Sequence, residues 1–280
     1  MRYAIKTSPQ LTTWPDLLAT WTEADQIDLF ESAWVFDHFY PINVPDTTGP
    51  CMESWVVLTA LAQATSRIRI GCMVNGIVYR HPAVVANMTS SLDIVSDGRL
   101  ELGLGAGWNE EECDAYGIEL GTLTERFDRF DEALEVIVGL LTREVTTFEG
   151  DYFTLRDARN NPPPIQQPHP PICIGGAGPK RTLPAVARWA QHWNHPGMDV
   201  ASFVETREKL HEACEAIDRD PSEIMTSQHL RYDPTAGPGP LADAAAERVE
   251  VGLDLAIVYL PPPHDPAVLA PLAEVLATVD

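Results

Sequence analysis

The sequence predicts an α/β fold: a single (β/α)8 TIM barrel over residues 1–280, with an insertion at 143–171 before the fifth strand. Three observations carry this. Short runs of strand character alternate with longer runs of helical period, eight β and about eight α units in all. Strict alternation implies a parallel sheet with crossover helices. A chain of 280 residues has the size of one closed barrel. A doubly wound open sheet is the alternative with the same alternation, and no internal repeat or compositional break marks a second domain.

Arg2–Lys6 reads as the first strand and Thr13–Ile27 as the first helix, with Pro15 in its opening turn. Ser32–Phe36 is the second strand. Met52–Thr65 is helical, with Trp55, Leu58, Leu61 and Ala62 on one face. Arg67–Val74 is the third strand, Pro82–Ser96 a helix opened by proline, and Arg99–Leu104 the fourth strand. Thr122–Thr142 has the clearest helical period, with Phe127, Phe130, Leu134, Ile137, Val138 and Leu141 at steps of three and four. The insertion contains a hairpin, Thr146–Leu155, turning at Gly150-Asp151, and then six prolines from Pro162 to Pro171. Pro171–Ile174 resumes the alternation as the fifth strand. It is followed by helix Pro179–Ala190, strand His192–Asn194, helix Val200–Ile217, strand Ile224–Arg231, helix Leu241–Val251, strand Leu255–Leu260 and helix Pro266–Ala277.

Composition excludes some functions. There are 19 Lys+Arg against 41 Asp+Glu, a net charge of −22. A nucleic-acid binder needs a basic footprint and an anionic-membrane binder a polybasic segment, and neither is present. The N-terminal residues lack an apolar signal core, and the five cysteines form no C-x-x-C pair. A cytoplasmic chain with reduced thiols and no metal site is expected.

In a barrel, chemistry sits where strands end. The second strand ends at Asp37-His38, a pairing suited to acid–base work or equally to a surface loop. After the third strand come Met73-Val74-Asn75-Gly76 and then Tyr79-Arg80-His81-Pro82, the latter read as a turn and helix start. After the fourth come Gly103, Gly105 and Gly107, alternate glycines that let backbone approach a ligand closely, with Asn109 as a donor beyond them. Glu110, Glu111 and Glu112 read as a solvated helix start. After the fifth comes Gly175-Gly176-Ala177-Gly178-Pro179-Lys180-Arg181, a glycine turn at a helix N-terminus. Such a turn is an anion nest, and Lys180 and Arg181 add positive charge. His192 and His195 read as incidental histidines rather than metal ligands. Lys6 reads as a lysine reaching solvent rather than a Schiff-base nucleophile.

As an ordered set these blocks resemble the bacterial luciferase-like flavin and deazaflavin oxidoreductases. The matching segments are 34–38, 67–71, 79–83, 97–108 and 172–179. The resemblance implies the same barrel with an insertion before the fifth strand. It is nearer the branch using coenzyme F420 than the branch using FMN, from Asp37-His38, Tyr79-Arg80-His81-Pro82 and Gly107-Trp108-Asn109-Glu110. It implies that Asp37 and His38 lie near the cofactor ring, with His38 as the acid–base or electrostatic residue. It also implies a non-prolyl cis peptide at Met73-Val74 behind the ring, beside Asn75. Met73 stands where some F420 dehydrogenases carry a small polar residue. Gly107 and Asn109 would approach the cofactor, and Gly175, Gly176, Ala177 and Gly178 would hold its phosphate.

The expected activity is hydride transfer between F420 and a small organic substrate. The alternative is a two-component monooxygenase using reduced FMN from a separate reductase. Further alternatives are a cofactor-free lyase built on Lys6 and a non-enzymatic subunit. Phe39, Tyr40, Phe148, Tyr152, Phe153 and Tyr232 suggest an aromatic mouth, with ordinary loop packing as the competing reading. The resemblance implies a homodimer through Met52–Thr65 and Pro82–Ser96.

Overall fold

A computed structural model describes residues 1–279. In chain order its elements are β1 (Arg2–Thr7), α1 (Trp14–Gln26), β2 (Phe30–Val35), α2 (Ser54–Ala64), β3 (Arg69–Cys72), β4 (Asn75–Gly76), α3 (Pro82–Val95) and β5 (Leu100–Gly105). There follow α4 (Glu110–Tyr116), α5 (Leu123–Thr142), β6 (Thr146–Glu149), β7 (Thr154–Ala158), β8 (Ile172–Gly175), α6 (Thr182–Trp189) and β9 (His192–His195). The chain ends with α7 (Val200–Glu215), β10 (Met225–Arg231), α8 (Gly239–Glu250), β11 (Leu255–Leu260) and α9 (Leu269–Leu276). Helix starts follow local chemistry. Thr13 caps α1, Glu53 caps α2, and Thr122 with Glu125 forms a reciprocal capping box on α5.

Eight strands close a parallel ring in the order β1-β2-β3-β5-β8-β9-β10-β11, and β11 returns to β1 with Lys6 opposite Tyr259. The open-sheet alternative is thereby excluded. The two-residue β4 extends from β5 outside the ring. The β6–β7 hairpin stands apart from the barrel and precedes β8, the fifth strand of the ring, where the insertion was expected.

Period two along each strand sorts the side chains. Ile5, Ala33, Ile70, Leu102, Ile174 and Val258 face the helices and join the large core. Ala4, Trp34, Cys173 and Ile257 form a second apolar cluster within the ring. Trp34 fills this space because Gly71 has no side chain: a Cβ there would lie 2.4 Å from the indole. Beneath it, buried Glu101 takes a 2.8 Å ion pair from Arg69, while His192 reaches Glu101 at 3.2 Å and Ser227 at 2.7 Å. His192 is pushed up to about 10. Burial opposes its charge, but Cys173 and Glu101 outweigh it.

Gly103 fixes how closely β3 approaches β5. A Cβ there would meet the Cys72 carbonyl oxygen at 1.9 Å, and backbone cannot swing aside as a side chain can. Replacing Gly103 with Ala is expected to destabilise the barrel by roughly 1–3 kcal/mol, as overpacking does. An unchanged urea midpoint would refute that account.

Candidate functional site

The last inward residues of the strands surround a cavity of about 550 Å³ at the C-terminal mouth of the barrel. Gly105 and Gly175 hollow one side of it. The Met73–Val74 peptide is cis, as the resemblance implied, and Val74 packs where a Gly105 Cβ would be, 2.7 Å away.

His38 lines this cavity just past β2. Its Nδ1 donates to Glu112 Oε1 at 2.6 Å, leaving Nε2 as the ring nitrogen with no protein partner among the described residues. Glu112 is fully buried and also accepts from Phe39 N at 2.8 Å and from the Tyr79 hydroxyl. Burial alone would raise its pKa. The hydrogen bonds from His38, Tyr79 and Phe39 outweigh that and hold the carboxyl below the ordinary range. Tyr79 is driven the other way, upward, by its own burial and by the Glu112 carboxylate. The group so formed is an imidazole oriented by a buried carboxylate, the arrangement that fixes a tautomer.

Asp37 is clamped rather than free. Arg80 binds it at 2.6 and 3.0 Å, Ser54 Oγ donates at 2.7 Å and Gly76 N at 3.3 Å. Arg80 also pairs with Glu53, the cap of α2. The clamp joins the ends of β2 and β4 to the start of α2.

Across the cavity lies the glycine turn between β8 and α6. Gly176 has φ +131°, a conformation that favours glycine, and Trp193 Nε1 donates to its carbonyl at 2.8 Å. The N–H groups of Ala177 and Gly178 donate to no protein acceptor among the described residues. Arg126, on α5, faces the same end. It donates to Gly107 O at 3.1 Å, and its buried Nε has no partner.

The structure therefore brings Asp37, His38, Met73, Val74, Gly107, Gly175 and Gly176 to one cavity. Asn75, Asn109, Ala177 and Gly178 do not line it. Asn75 is buried and donates to Gly103 O at 2.7 Å, and Asn109 is the N-cap of α4. The glycine turn borrows no charge from Arg181, which pairs with Asp128 and Asp131 at 2.7 Å each. Glu112 and Arg80, expected as solvated helix start and plain turn, are the anchors of His38 and Asp37. Lys6 is buried rather than solvent-reaching, because it is the last inward residue of β1. His192 and His195 lie on opposite faces of β9, His195 packing on Phe203 of α7, so they cannot share a metal. The described residues hold no cluster of metal-ligating type. The cavity's aromatic groups are Phe36, Tyr79, Trp108, Phe127 and Tyr259. The expected mouth residues pack elsewhere: Phe39 stacks on Tyr116 at 4.8 Å, and Phe153 sits against His81.

The family model described as luciferase-like monooxygenase matches residues 4–236. The chain belongs to the luciferase-like monooxygenase family. It is an enzyme of that oxidoreductase family. An F420-dependent glucose-6-phosphate dehydrogenase of Kineococcus radiotolerans is 30% identical over 264 residues, which is 94% of this chain and 76% of that one. One of the same name from Amycolatopsis mediterranei is 34% identical over 165 residues, 59% of this chain. The match spans about half, 48%, of that relative's length. Among solved structures, an F420-dependent secondary alcohol dehydrogenase with an F420-acetone adduct superposes with TM-score 0.86 and 20% identity. It covers 100% of this chain and 99% of that one, and at this identity it speaks for the luciferase-like barrel alone. No helix among the described residues is long and apolar enough to cross a membrane.

Proposed function

We propose that the chain is a cytoplasmic F420-dependent oxidoreductase that exchanges a hydride with a small organic substrate. The observation that carries the reading is the His38–Glu112 pair opening on the cavity across from Gly175 and Gly176, whose turn continues into Ala177 and Gly178 with their N–H groups unpaired among the described residues. The names of the relatives favour F420 over FMN.

The residues fit such a cofactor. A Cβ at Gly176 would come within 2.9 Å of Thr182 Cγ2, so the bare glycine keeps the turn open. The N–H groups of the turn and the Arg126 guanidinium suit a phosphate. Val74, apolar and lining the cavity, would pack against a bound ring. When bound, F420 supplies a ring carbon that gives or accepts a hydride, two electrons travelling with it. His38 then holds or moves the accompanying proton at Nε2, while Glu112 keeps its Nδ1–H donated. Trp108 at 5.4 Å and Phe36 at 5.0 Å stand edge-on to the imidazole of His38.

The test is fluorescence titration of the purified protein with F420 and with FMN. F420 should bind the more tightly, and preferential FMN binding would sink the reading. Arg126→Gln should weaken F420 binding about tenfold or more, the worth of a charge-assisted hydrogen bond. An unchanged dissociation constant would remove Arg126 from the phosphate end. The second reading, a monooxygenase on reduced FMN from a separate reductase, rests on the family description. Oxygen-dependent turnover with FMN would establish it.

A homodimer is part of the proposal. Val56 on α2 is 72% exposed and Val84 on α3 51%, and Ile94 and Val95 are exposed at the end of α3. These valines and the isoleucine lie on the two helices that the resemblance assigned to the interface. Sedimentation should give a dimer, and Val56→Asp should shift it toward monomer. A monomeric wild type would defeat this part.

A further inference from the structure

In a chain with 41 acidic and 19 basic residues, the cavity reverses the balance. Lys6, Arg126 and Arg231 line it against one carboxylate, Asp37, which Arg80 already neutralises. Arg126 belongs to the end assigned above to the cofactor phosphate. The other two cations sit on the far wall and are not explained by that assignment.

Register places them together. Lys6 on β1 and Arg231 on β10 both stand opposite Tyr259 of β11, so the three form one row across adjacent strands. The Lys6 ammonium is 5.9 Å and the Arg231 guanidinium 5.7 Å from the centre of the Tyr259 ring. Ser8 Oγ holds that ring through its hydroxyl at 2.9 Å. His229, one inward step before Arg231, lies 3.4 Å from Lys6 Nζ.

None of the three basic groups meets a carboxylate. Lys6 donates to the Met73 carbonyl at 3.1 Å and to His229, and Arg231 has no hydrogen-bond or ion-pair partner among the described residues. A buried ammonium without a counter-charge is costly, and burial brings Lys6 down to about 8. Burial and the neighbouring Lys6 press His229 well below its ordinary value. Arg231 faces the cavity without an acceptor and Lys6 without a counter-charge, which is half of a binding site. The missing half is an anion.

We infer that Lys6, His229 and Arg231 form a subsite for an acidic group of the substrate, a carboxylate or a phosphate monoester. Arg231 supplies a planar fork that matches two oxygens, and Lys6 a point charge from beneath. The Tyr259 ring spaces the two. The inference rests on the cavity holding cofactor and substrate side by side, and it names the substrate class as organic acids or their phosphorylated equivalents.

The test is calorimetric titration at low ionic strength, where charge is least screened, with inorganic phosphate in one arm and acetate in the other. Each arm is run on the protein alone and on the protein saturated with F420. Anion binding should persist when F420 is bound. With F420 saturating the cofactor end, Arg231→Gln and Lys6→Met should each weaken it about ten- to hundredfold, and Arg126→Gln should spare it. Arg231 is exposed, so its variant keeps the test intact if Lys6→Met fails to fold. Tighter phosphate binding identifies a phosphate monoester, and comparable acetate binding a carboxylate. Anion binding abolished by F420, or unmoved by both wall variants, overturns the subsite. If the protein binds no F420, the cofactor reading fails. The arms without F420 still judge the subsite through the same variants.

Discussion

His38→Ala should lower turnover by about 10²–10⁴, the usual contribution of a positioned acid–base group, while leaving the F420 dissociation constant nearly unchanged. The separation follows from the geometry: the phosphate end at Gly176 and Arg126 lies across the cavity from the imidazole. Glu112→Gln tests the same unit from behind. All three partners of Glu112 donate to it: His38 Nδ1, Tyr79 Oη and Phe39 N. A glutamine has one oxygen for them and turns an N–H2 toward the rest. Tyr79 can rotate its proton away, but His38 or Phe39 must lose an acceptor. Turnover should fall by roughly 10–100-fold, the usual cost of losing the group that orients a histidine.

Stability supplies an independent readout. The folded pKa of Glu112 lies below its unfolded value. Its contribution is therefore present above the unfolded pKa, about 4.3, and is lost as pH falls through the folded one. Wild type should lose more unfolding free energy on acidification than Glu112→Gln does. Full turnover in His38→Ala would remove the imidazole from the chemistry. Parallel acid profiles would remove the charge from Glu112.

What could be read in the sequence was whatever depends on near neighbours. Alternation gives the barrel because strand and helix periods are local, and Gly176 is visible because a glycine turn before a helix is local too. Partnerships are not local. Glu112 meets His38 across 74 positions, and nothing in the run 110–112 distinguishes it from its neighbours. The usable signal is its place three residues after the Asn109 cap, the first-turn position that turns inward here. Arg80 meets Asp37 across 43 positions, a pairing no motif spacing encodes. Lys6 was legible in principle. Period two puts it on the face of Ala4, inside the ring, and charge alone suggested solvent. Arg126 sits in the first turn of a clean helical period, where a basic residue looks like an exposed face.

Arg80→Met should cost about 3–5 kcal/mol, because it leaves the Asp37 carboxylate buried without its counter-charge. Asp37 is 1% exposed, so water cannot replace the guanidinium without opening the clamp. Ser54 Oγ and Gly76 N remain as donors, but both are neutral. A double-mutant cycle separates this charge from simple loss of packing. Asp37→Asn in the Arg80→Met background removes the stranded charge and keeps the shape, and should return roughly 1–3 kcal/mol of the loss. Asp37→Asn alone leaves Arg80 paired with Glu53, and should cost less than Arg80→Met. The same clamp positions His38, the next residue along the chain, so Arg80→Met should also lower turnover, and the double variant should regain part of it. If Arg80→Met and the double variant unfold at the same urea midpoint, the stranded carboxylate is not what destabilises the protein. The ties that Arg80 makes between Asp37 and the start of α2 would then act through packing alone.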